Sequence, residues 1–255
     1  METSHERPDE ANVGEPHSDV GHWAQPVEKL TTSHLPADAI NLNVEGRQVV
    51  GPLQGFGKMW QKTYEVRLSG CAAPPREVIR VWKENFSAFW PSGNRFYGPI
   101  TGIAPGEVAV LNLAAPGMKL STGVLVLYAD DESFTFMNPQ GHPFAGWITF
   151  RAFEEDGCTV AQAQVLVRAN DPLWELVMSF GGYGKENEFW HDTLKSLAAH
   201  FSVEGQPLMK ETCVDPKRQW SEAKNIWHNA AIRSALYTLV APVRWVGRPF
   251  RRTHN

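Results

Sequence analysis

The first strongly patterned stretch of the chain alternates between apolar and polar residues. In KMWQKTYEVRL, residues 58–68, most aromatic and aliphatic side chains fall on one side of an extended chain. A period of two predicts a half-buried β-strand. The apolar positions from Val78 to Phe89 then recur at helical spacing, after Pro75, which suits a first helical turn, and before Pro91, which ends it. The pattern therefore predicts a strand followed by a helix.

Residues 95–169 carry a second pattern, in which short segments rich in β-branched or aromatic residues follow one another. Pro-Gly, Asp-Asp, Gly-His-Pro and Asp-Gly sequences separate these segments, and such sequences mark turns. The pair Asp156-Gly157 suits a tight primed turn between two strands. This region is therefore predicted to be a meander of antiparallel strands.

A helical period returns after residue 170. Asp171 is a suitable N-cap, and Pro172 suits the first helical position. Apolar residues then recur at helical spacing as far as Phe201, with an interruption at GGYGKE, where the glycines are expected to break the helix.

The order of elements predicts an α+β protein. A curved antiparallel sheet is expected to wrap on a long C-terminal helix, and an extra amphipathic helix is expected to follow at the C-terminus. A sheet with one apolar face has to be covered by another layer. Where the covering helix stands away from the sheet, the space between them can hold a ligand.

This arrangement resembles the helix-grip fold of the START and Bet v 1-like (SRPBCC) superfamily. The stretch FTFMNPQGHPFAGWITFRAF is similar to an uncharacterised bacterial and plant family of that superfamily, which has a Gly-His-Pro turn between two strands. The matching residues are Gly141, His142, Pro143, Gly146 and Phe150. The chain departs from that family at Trp147 and Ile148, where the family typically has carboxylates. The resemblance covers roughly residues 56–201.

Alternation suggests which side chains face such a cavity. The candidate ligand-binding residues are Trp60, Tyr64, Tyr128, Phe134, Phe136, Trp147, Arg151 and Gln164. A surface that mixes large aromatic side chains with polar ones suits a small hydrophobic or amphiphilic, lipid-like ligand. It would equally suit a solvated sheet face with some aromatic cover.

His142 is the one candidate for catalysis. A histidine in a turn at a cavity mouth could act as general base or acid, with Tyr64 or Tyr128 as a hydrogen-bond donor. Such chemistry would make the protein a cyclase- or hydrolase-type enzyme, which the superfamily also includes. The alternative is a turn histidine that bonds to nearby backbone. We expect a binding protein rather than an enzyme, with a non-catalytic protein-interaction module as a further alternative.

The sequence contains no complete motif for a metal ion or a cofactor. Glu188 and His191 make a single Glu-x-x-His pair, whereas a bundle-type di-iron site needs two. The glycine-bearing loops match neither a P-loop nor a dinucleotide fingerprint. We therefore predict no metal site and no cofactor.

Charge is distributed unevenly, although the net charge is only −4. Residues 1–45 are acidic and poor in aliphatic side chains, which predicts a disordered leader. Basic and aromatic residues interleave over 206–255, which predicts a helical tail. The START/Bet v 1-like domain is then expected to occupy residues 46–205.

The tail has the composition of a surface-binding helix. Its candidate contact residues are Trp227, Arg233, Arg244, Trp245, Arg251 and Arg252. A basic aromatic helix suits an anionic membrane surface or a partner groove, and the alternative is a helix packed on its own domain. The remainder of the chain is acidic and carries no recognition motif, so nucleic acid is not an expected partner.

The compartment follows from the cysteines and from the N-terminal sequence. Cys71, Cys158 and Cys213 lie too far apart to suggest zinc spacing or a disulfide framework. No apolar signal region and no window of about 18 apolar residues is present. We expect a cytoplasmic protein that is peripheral at the membrane if its tail binds lipid.

Overall fold

The computed structural model describes residues 19–32, 35–115 and 117–246, with side chains as far as residue 239. Its centre is one curved, eight-stranded antiparallel sheet with the order β2-β3-β4-β5-β6-β7-β1-β8. The strands are β1 (Met59–Arg67), β2 (Arg95–Tyr97), β3 (Val108–Ala115), β4 (Met118–Ala129), β5 (Ser133–Met137), β6 (Phe144–Glu155), β7 (Cys158–Ala169) and β8 (Leu208–Asp215). The helices are α1 (Pro75–Glu84), α2 (Pro172–Val177), α3 (Tyr183–His200) and α4 (Ala230–Val246). The predicted α+β helix-grip architecture is confirmed.

The main core lies between the inner face of the sheet and the helices α1 and α3. Aromatic rings fill it: Trp82 of α1 meets Phe150 at a centroid distance of 5.1 Å, and Phe86 meets Phe136 at 5.2 Å. Phe134 and Phe150 stack at 4.6 Å on neighbouring strands. Truncating one such buried ring to alanine typically costs about 3–5 kcal/mol, so this cluster fixes how the helices sit on the sheet.

The break between α2 and α3 has a local cause. The Asp171 carboxylate caps α2 by accepting hydrogen bonds from two backbone amides, at 2.9 and 3.0 Å. The chain kinks over Met178–Gly182, because Phe180 (φ −96°, ψ 35°) and Gly181 (φ 108°) leave helical geometry. A left-handed φ is costly for residues with a Cβ. The prediction that these glycines interrupt the helix is confirmed.

The hairpin between β6 and β7 also follows from sequence chemistry. Asp156 and Gly157 both have positive φ, of 51° and 70°, and Glu155 pairs with Cys158. This is the predicted primed turn, whose twist matches that of the flanking strands.

The interpretation of residues 1–45 as a disordered leader does not hold for its described part. Leu30 and Val44 are fully buried against Val110 and Leu125 on the outer face of β3 and β4. The backbone of Ala24 also donates a hydrogen bond to β4 at 2.8 Å. Because β3 and β4 are apolar on both faces, their outer face needs this cover. Residues 1–18 lie outside the described residues.

The boundary predicted at residue 205 is also corrected. The chain beyond it forms β8, which pairs with β1 and extends the sheet. The buried guanidinium of Arg168 holds this strand by an ion pair with Asp215 and by a 2.8 Å hydrogen bond to the Lys217 carbonyl. A run of 3₁₀ turns over Trp220–His228 leads to α4. The described part of this region, residues 206–246, therefore begins as a strand of the sheet and is not a separate helical tail.

Helix α4 begins by packing on the outer side of β4. The Ser234 hydroxyl accepts a hydrogen bond from the backbone amide of Ser121 at 3.1 Å, and Ala230 is fully buried. None of the described helices has the length and apolar character needed to cross a membrane. The described residues also contain no group of three or more His, Cys, Asp or Glu arranged to hold a metal ion.

Candidate functional site

A cavity of about 540 Å³ lies between the inner face of the sheet and the α2–α3 break. Its walls are mainly apolar, and the largest contributions come from aromatic and aliphatic side chains. These include Trp90, Phe96, Phe136, Ile148, Val165 and Trp190. The volume and the apolar walls are those of small-molecule sites in proteins.

The helix break forms the outer edge of this cavity. Val177, Phe180 and Gly181 all line it, and the Phe180 side chain is 84% exposed. A continuous helix could lay its apolar stripe on the sheet, whereas the kink at Phe180 and Gly181 interrupts that stripe. The break therefore leaves both the cavity and an apolar rim at the surface.

The Gly-His-Pro turn contributes a buried imidazole to the wall. His142 is 8% exposed, and its Nδ1 lies 3.0 Å from the Phe144 amide nitrogen and 3.1 Å from the Phe144 carbonyl oxygen. Burial lowers the pKa of His142 to about 4, so the ring is neutral at neutral pH. In the tautomer protonated at Nε2, Nδ1 accepts the Phe144 N–H. Nε2 makes no hydrogen bond to any residue in the described ranges.

Three other elements fix the position of this turn. The Gly141 carbonyl accepts hydrogen bonds from the Ala230 amide at 3.0 Å and from Trp174 Nε1 at 3.2 Å. The Asn170 side chain donates to the His142 carbonyl at 3.0 Å. Gly141 has a φ of +86°, and a Cβ there would lie 2.0 Å from the His228 carbonyl oxygen. The turn is therefore a junction between the sheet, α2 and the start of α4.

A second polar group borders the cavity under α3. Lys62 is 1% exposed, and its Nζ contacts Glu186 Oε2 at 2.8 Å and Asn187 Oδ1 at 3.0 Å. Burial raises the pKa of Glu186, which lines the cavity, and the adjacent ammonium opposes that rise. Lys62 was not among the predicted site residues. The signal was present, because alternation places this lysine on the same side as Trp60 and Tyr64.

Five of the predicted ligand-binding residues lie in or near the region of the cavity, and two of these five line its wall. Phe136 and Trp147 line it. Phe134 is buried in the ring cluster beside it. Tyr64 donates a hydrogen bond to Asn187 at 2.7 Å, and burial raises its pKa. Trp60 packs edge-on against a tyrosine of α3.

The other three predicted ligand-binding residues are placed outside the cavity. The ring of Tyr128 contacts that of Trp23 at 4.8 Å, in the segment that covers β4. Arg151 donates a hydrogen bond to Gln162 at 2.6 Å, and Gln164 lies two residues further along the same strand as Gln162. Arg151 and Gln164 alternate with inward-facing neighbours, so they point to the outer face. A register shift beside Tyr128 disrupts the alternation there.

The structure therefore does not bring together the proposed catalytic group. His142 lines the cavity, but Tyr64 and Tyr128 do not. The Tyr64 hydroxyl is already committed to Asn187. Neither of these two tyrosines thus donates to His142, and the lowered pKa of His142 makes it a weak base.

Candidate surface residues of the tail are described only in part. Trp227 is 84% exposed, and Arg233 on α4 is also exposed. Arg244 and Trp245 belong to the α4 backbone, but their side chains lie outside the described ones. The following candidates lie outside the described residues altogether: Arg251 and Arg252.

No family model and no curated protein matches this sequence. Solved structures similar to the chain include protein Ms6760 from Mycobacterium smegmatis, with 19% identity over 55% of this chain and 89% of that chain and a TM-score of 0.39. Others are major latex-like protein 151 from Panax ginseng (12% identity, 57% and 99%, TM-score 0.37) and the di-domain ARO/CYC StfQ from the steffimycin biosynthetic pathway (8% identity, 57% and 51%, TM-score 0.45). Likeness at this level carries no inference about ligand or activity.

Proposed function

We propose that this protein binds a small hydrophobic or amphiphilic, lipid-like molecule in the cavity between its sheet and α3. The apolar cavity of about 540 Å³ carries the proposal. Natural cores are packed with few voids larger than a water molecule, so an apolar space of this size calls for an occupant. Moving the apolar surface of a ligand from water into the cavity favours binding by roughly 25 cal/mol for each Å² buried.

The first test is direct detection of an occupant. Native mass spectrometry of protein purified from its host should show a bound small molecule, and Nile red, an uncharged apolar dye, should bind the emptied protein with increased fluorescence. If no molecule co-purifies and the dye does not bind, the proposal fails.

A pair of matched substitutions locates the binding. Val167 lines the cavity, whereas Val66 is buried in the packed core away from it. Val167→Phe should fill free space, keep the free energy of unfolding near that of the wild type, and abolish Nile red binding. Val66→Phe has no such space and should destabilise the fold by about 1–3 kcal/mol. Unchanged dye binding by Val167→Phe would contradict this location.

We further propose that α4 makes peripheral contact with an anionic lipid surface. Ile232, Leu236 and Leu239 recur along one side of this helix and are 41%, 56% and 73% exposed. Arg233 is exposed beside them, and the sequence from residue 216 onwards is strongly basic. An exposed apolar stripe with neighbouring cations is the pattern of interfacial helices.

Liposome flotation tests this contact. Leu236→Glu/Leu239→Glu should weaken binding to phosphatidylserine vesicles on the order of tenfold or more, because it adds two negative charges and removes apolar area. Ile100→Glu/Leu208→Glu is the matched control, since both side chains are also exposed and neither belongs to α4. Equal flotation of the two variants would refute the contact.

A further inference from the structure

Among the polar groups of the cavity wall, Trp90 Nε1, the Asn138 carboxamide and His142 Nε2 make no hydrogen bond to a described residue. Asn138 is 6% exposed and His142 is 8% exposed, and both line the cavity. The backbone of Asn138 is engaged, through a 3.0 Å bond to the Gly146 carbonyl and a 2.8 Å bond from the Val50 amide. Its carboxamide, like His142 Nε2, makes no hydrogen bond to any residue that the structure describes. Both residues belong to the connection between β5 and β6.

A buried polar group without a partner costs about 1–3 kcal/mol. Native proteins therefore leave such groups where water or a ligand can satisfy them. Here both groups lie in one wall of an otherwise apolar space, beside Phe136 and Phe144. A ligand oxygen placed there could hydrogen-bond to both groups at once.

The charges around the cavity indicate what kind of oxygen this is. Among the described lining residues the charged ones are Lys185 and Glu186, and each is already in an ion pair, with Glu188 at 2.6 Å and with Lys62 at 2.8 Å. No unpaired charge in the described wall would therefore compensate an ionised ligand, and burying an uncompensated charge is very costly.

The other asparagine in the wall is fully used, which sets Asn138 apart. Asn94 donates to the Pro91 carbonyl at 3.1 Å and accepts from the Ala114 amide at 3.0 Å. It holds the loop before β2 against β3. Asn138 has no comparable structural contact from its side chain in the described part of the chain.

We infer that Asn138 and His142 form a polar subsite that binds an uncharged oxygen group, a ketone carbonyl or a hydroxyl, on an otherwise apolar ligand. The carboxamide offers both donors and an acceptor, and the Nε2–H of the neutral imidazole offers one donor. This inference rests on the proposed function, because it names the ligand class of the same cavity.

Displacement of Nile red by four probes with one shared ring system tests the subsite. The probes are naphthalene, 2-acetylnaphthalene, 2-naphthol and 2-naphthoate. We expect the ketone and the alcohol to bind about tenfold or more tightly than naphthalene and 2-naphthoate, since one good hydrogen bond contributes about that factor. Asn138→Leu and His142→Phe should each remove most of this preference, by weakening the ketone and the alcohol much more than naphthalene. Asn41→Leu, the same change at an asparagine outside the cavity wall, should keep the preference.

A measurement on the wild type covers the case in which a variant does not fold. The ¹⁵N resonance of His142 Nε2 should shift when 2-acetylnaphthalene binds and should shift less with naphthalene.

The outcomes separate the two proposals. If none of the four probes displaces Nile red and the dye itself does not bind, cavity binding fails. If naphthalene binds as tightly as the ketone and the alcohol, or if 2-naphthoate binds tightest, cavity binding stands and the polar subsite is overturned. An unchanged preference in both Asn138→Leu and His142→Phe also overturns it.

Discussion

Acidification from pH 7.5 to 4.5 should destabilise the wild type more than His142→Asn. A histidine in an unfolded chain has a pKa of about 6.5, whereas burial lowers the pKa of His142 to about 4 in the folded protein. Between these values the unfolded chain binds a proton that the folded one does not. Stability from this residue is therefore complete above about pH 6.5 and is lost as the pH falls towards 4.

The size of the effect follows from the gap between the two pKa values. A gap of about 2.5, at about 1.4 kcal/mol for each unit, amounts to about 3 kcal/mol. Most of it should have disappeared by pH 4.5. The effect comes from burial of the ring, and the backbone contact with Phe144 opposes it.

Urea unfolding followed by tryptophan fluorescence at pH 7.5, 6.5, 5.5 and 4.5 measures this difference. The free energy of unfolding of the wild type should fall relative to that of His142→Asn, whose side chain can still accept the Phe144 N–H. Asn138→Leu changes a non-titrating residue of the same wall and should keep the wild-type pH dependence. Parallel loss of stability in the wild type and His142→Asn, or a protonated His142 ring at pH 5.5 by NMR, would refute the reasoning.

Three further predictions concern contacts that support the fold around the site. Lys62→Met should lower the free energy of unfolding by about 3–5 kcal/mol, because it leaves the Glu186 carboxylate buried and unpaired. The double variant Lys62→Met/Glu186→Leu should recover most of that loss, and additive losses in urea unfolding would contradict the coupling. Gly141→Ala should release the start of α4 to limited proteolysis because its Cβ meets the His228 carbonyl, whereas Gly106→Ala, with the same positive φ and open space, should not; equal cleavage would argue against the junction. A backbone amide and a guanidinium lower the pKa of Asp215. The stability that this carboxylate contributes is therefore complete above about pH 3.9, the ordinary pKa of an aspartate, and is lost as the pH falls through the folded pKa. Hydrogen exchange in β8 should become faster at low pH in the wild type, and Asp215→Asn should not show this transition.

Elements that depend on near neighbours were predictable from the sequence. The strand alternation, the Asp156-Gly157 hairpin, the Asp171 cap and the glycine break all appear in the structure as expected. Each involves residues within a few positions of one another, so composition and spacing carry the necessary information.

The site was only partly predictable, because alternation does not say which side of a strand faces inward. Phe136, Trp147 and His142 were selected and line the cavity, whereas Arg151 and Gln164 were selected and face outward. Until the layer that covers the sheet is known, alternation does not tell which of two neighbouring residues faces inward.

The structure of the two end segments of the domain could not be predicted from local sequence either. Average composition suggested a disordered leader and a separate tail, but a few aliphatic positions, among them Leu30 and Val44, are enough to cover β3 and β4. The β8 strand is chosen by its partner β1 and by the buried Arg168, both far away in sequence.

The sequence by itself thus determined the order of strands and helices from β1 to α3, the turn between β6 and β7 and the place where the helix after residue 170 breaks, since these are set by local backbone preferences. Only the tertiary structure decided that the break opens a cavity, that Asn138 and His142 face it without partners, and that Lys62 pairs with Glu186 beneath α3. Those features depend on contacts between residues tens of positions apart, where burial and unpaired hydrogen-bonding groups, rather than local pattern, set the free energy.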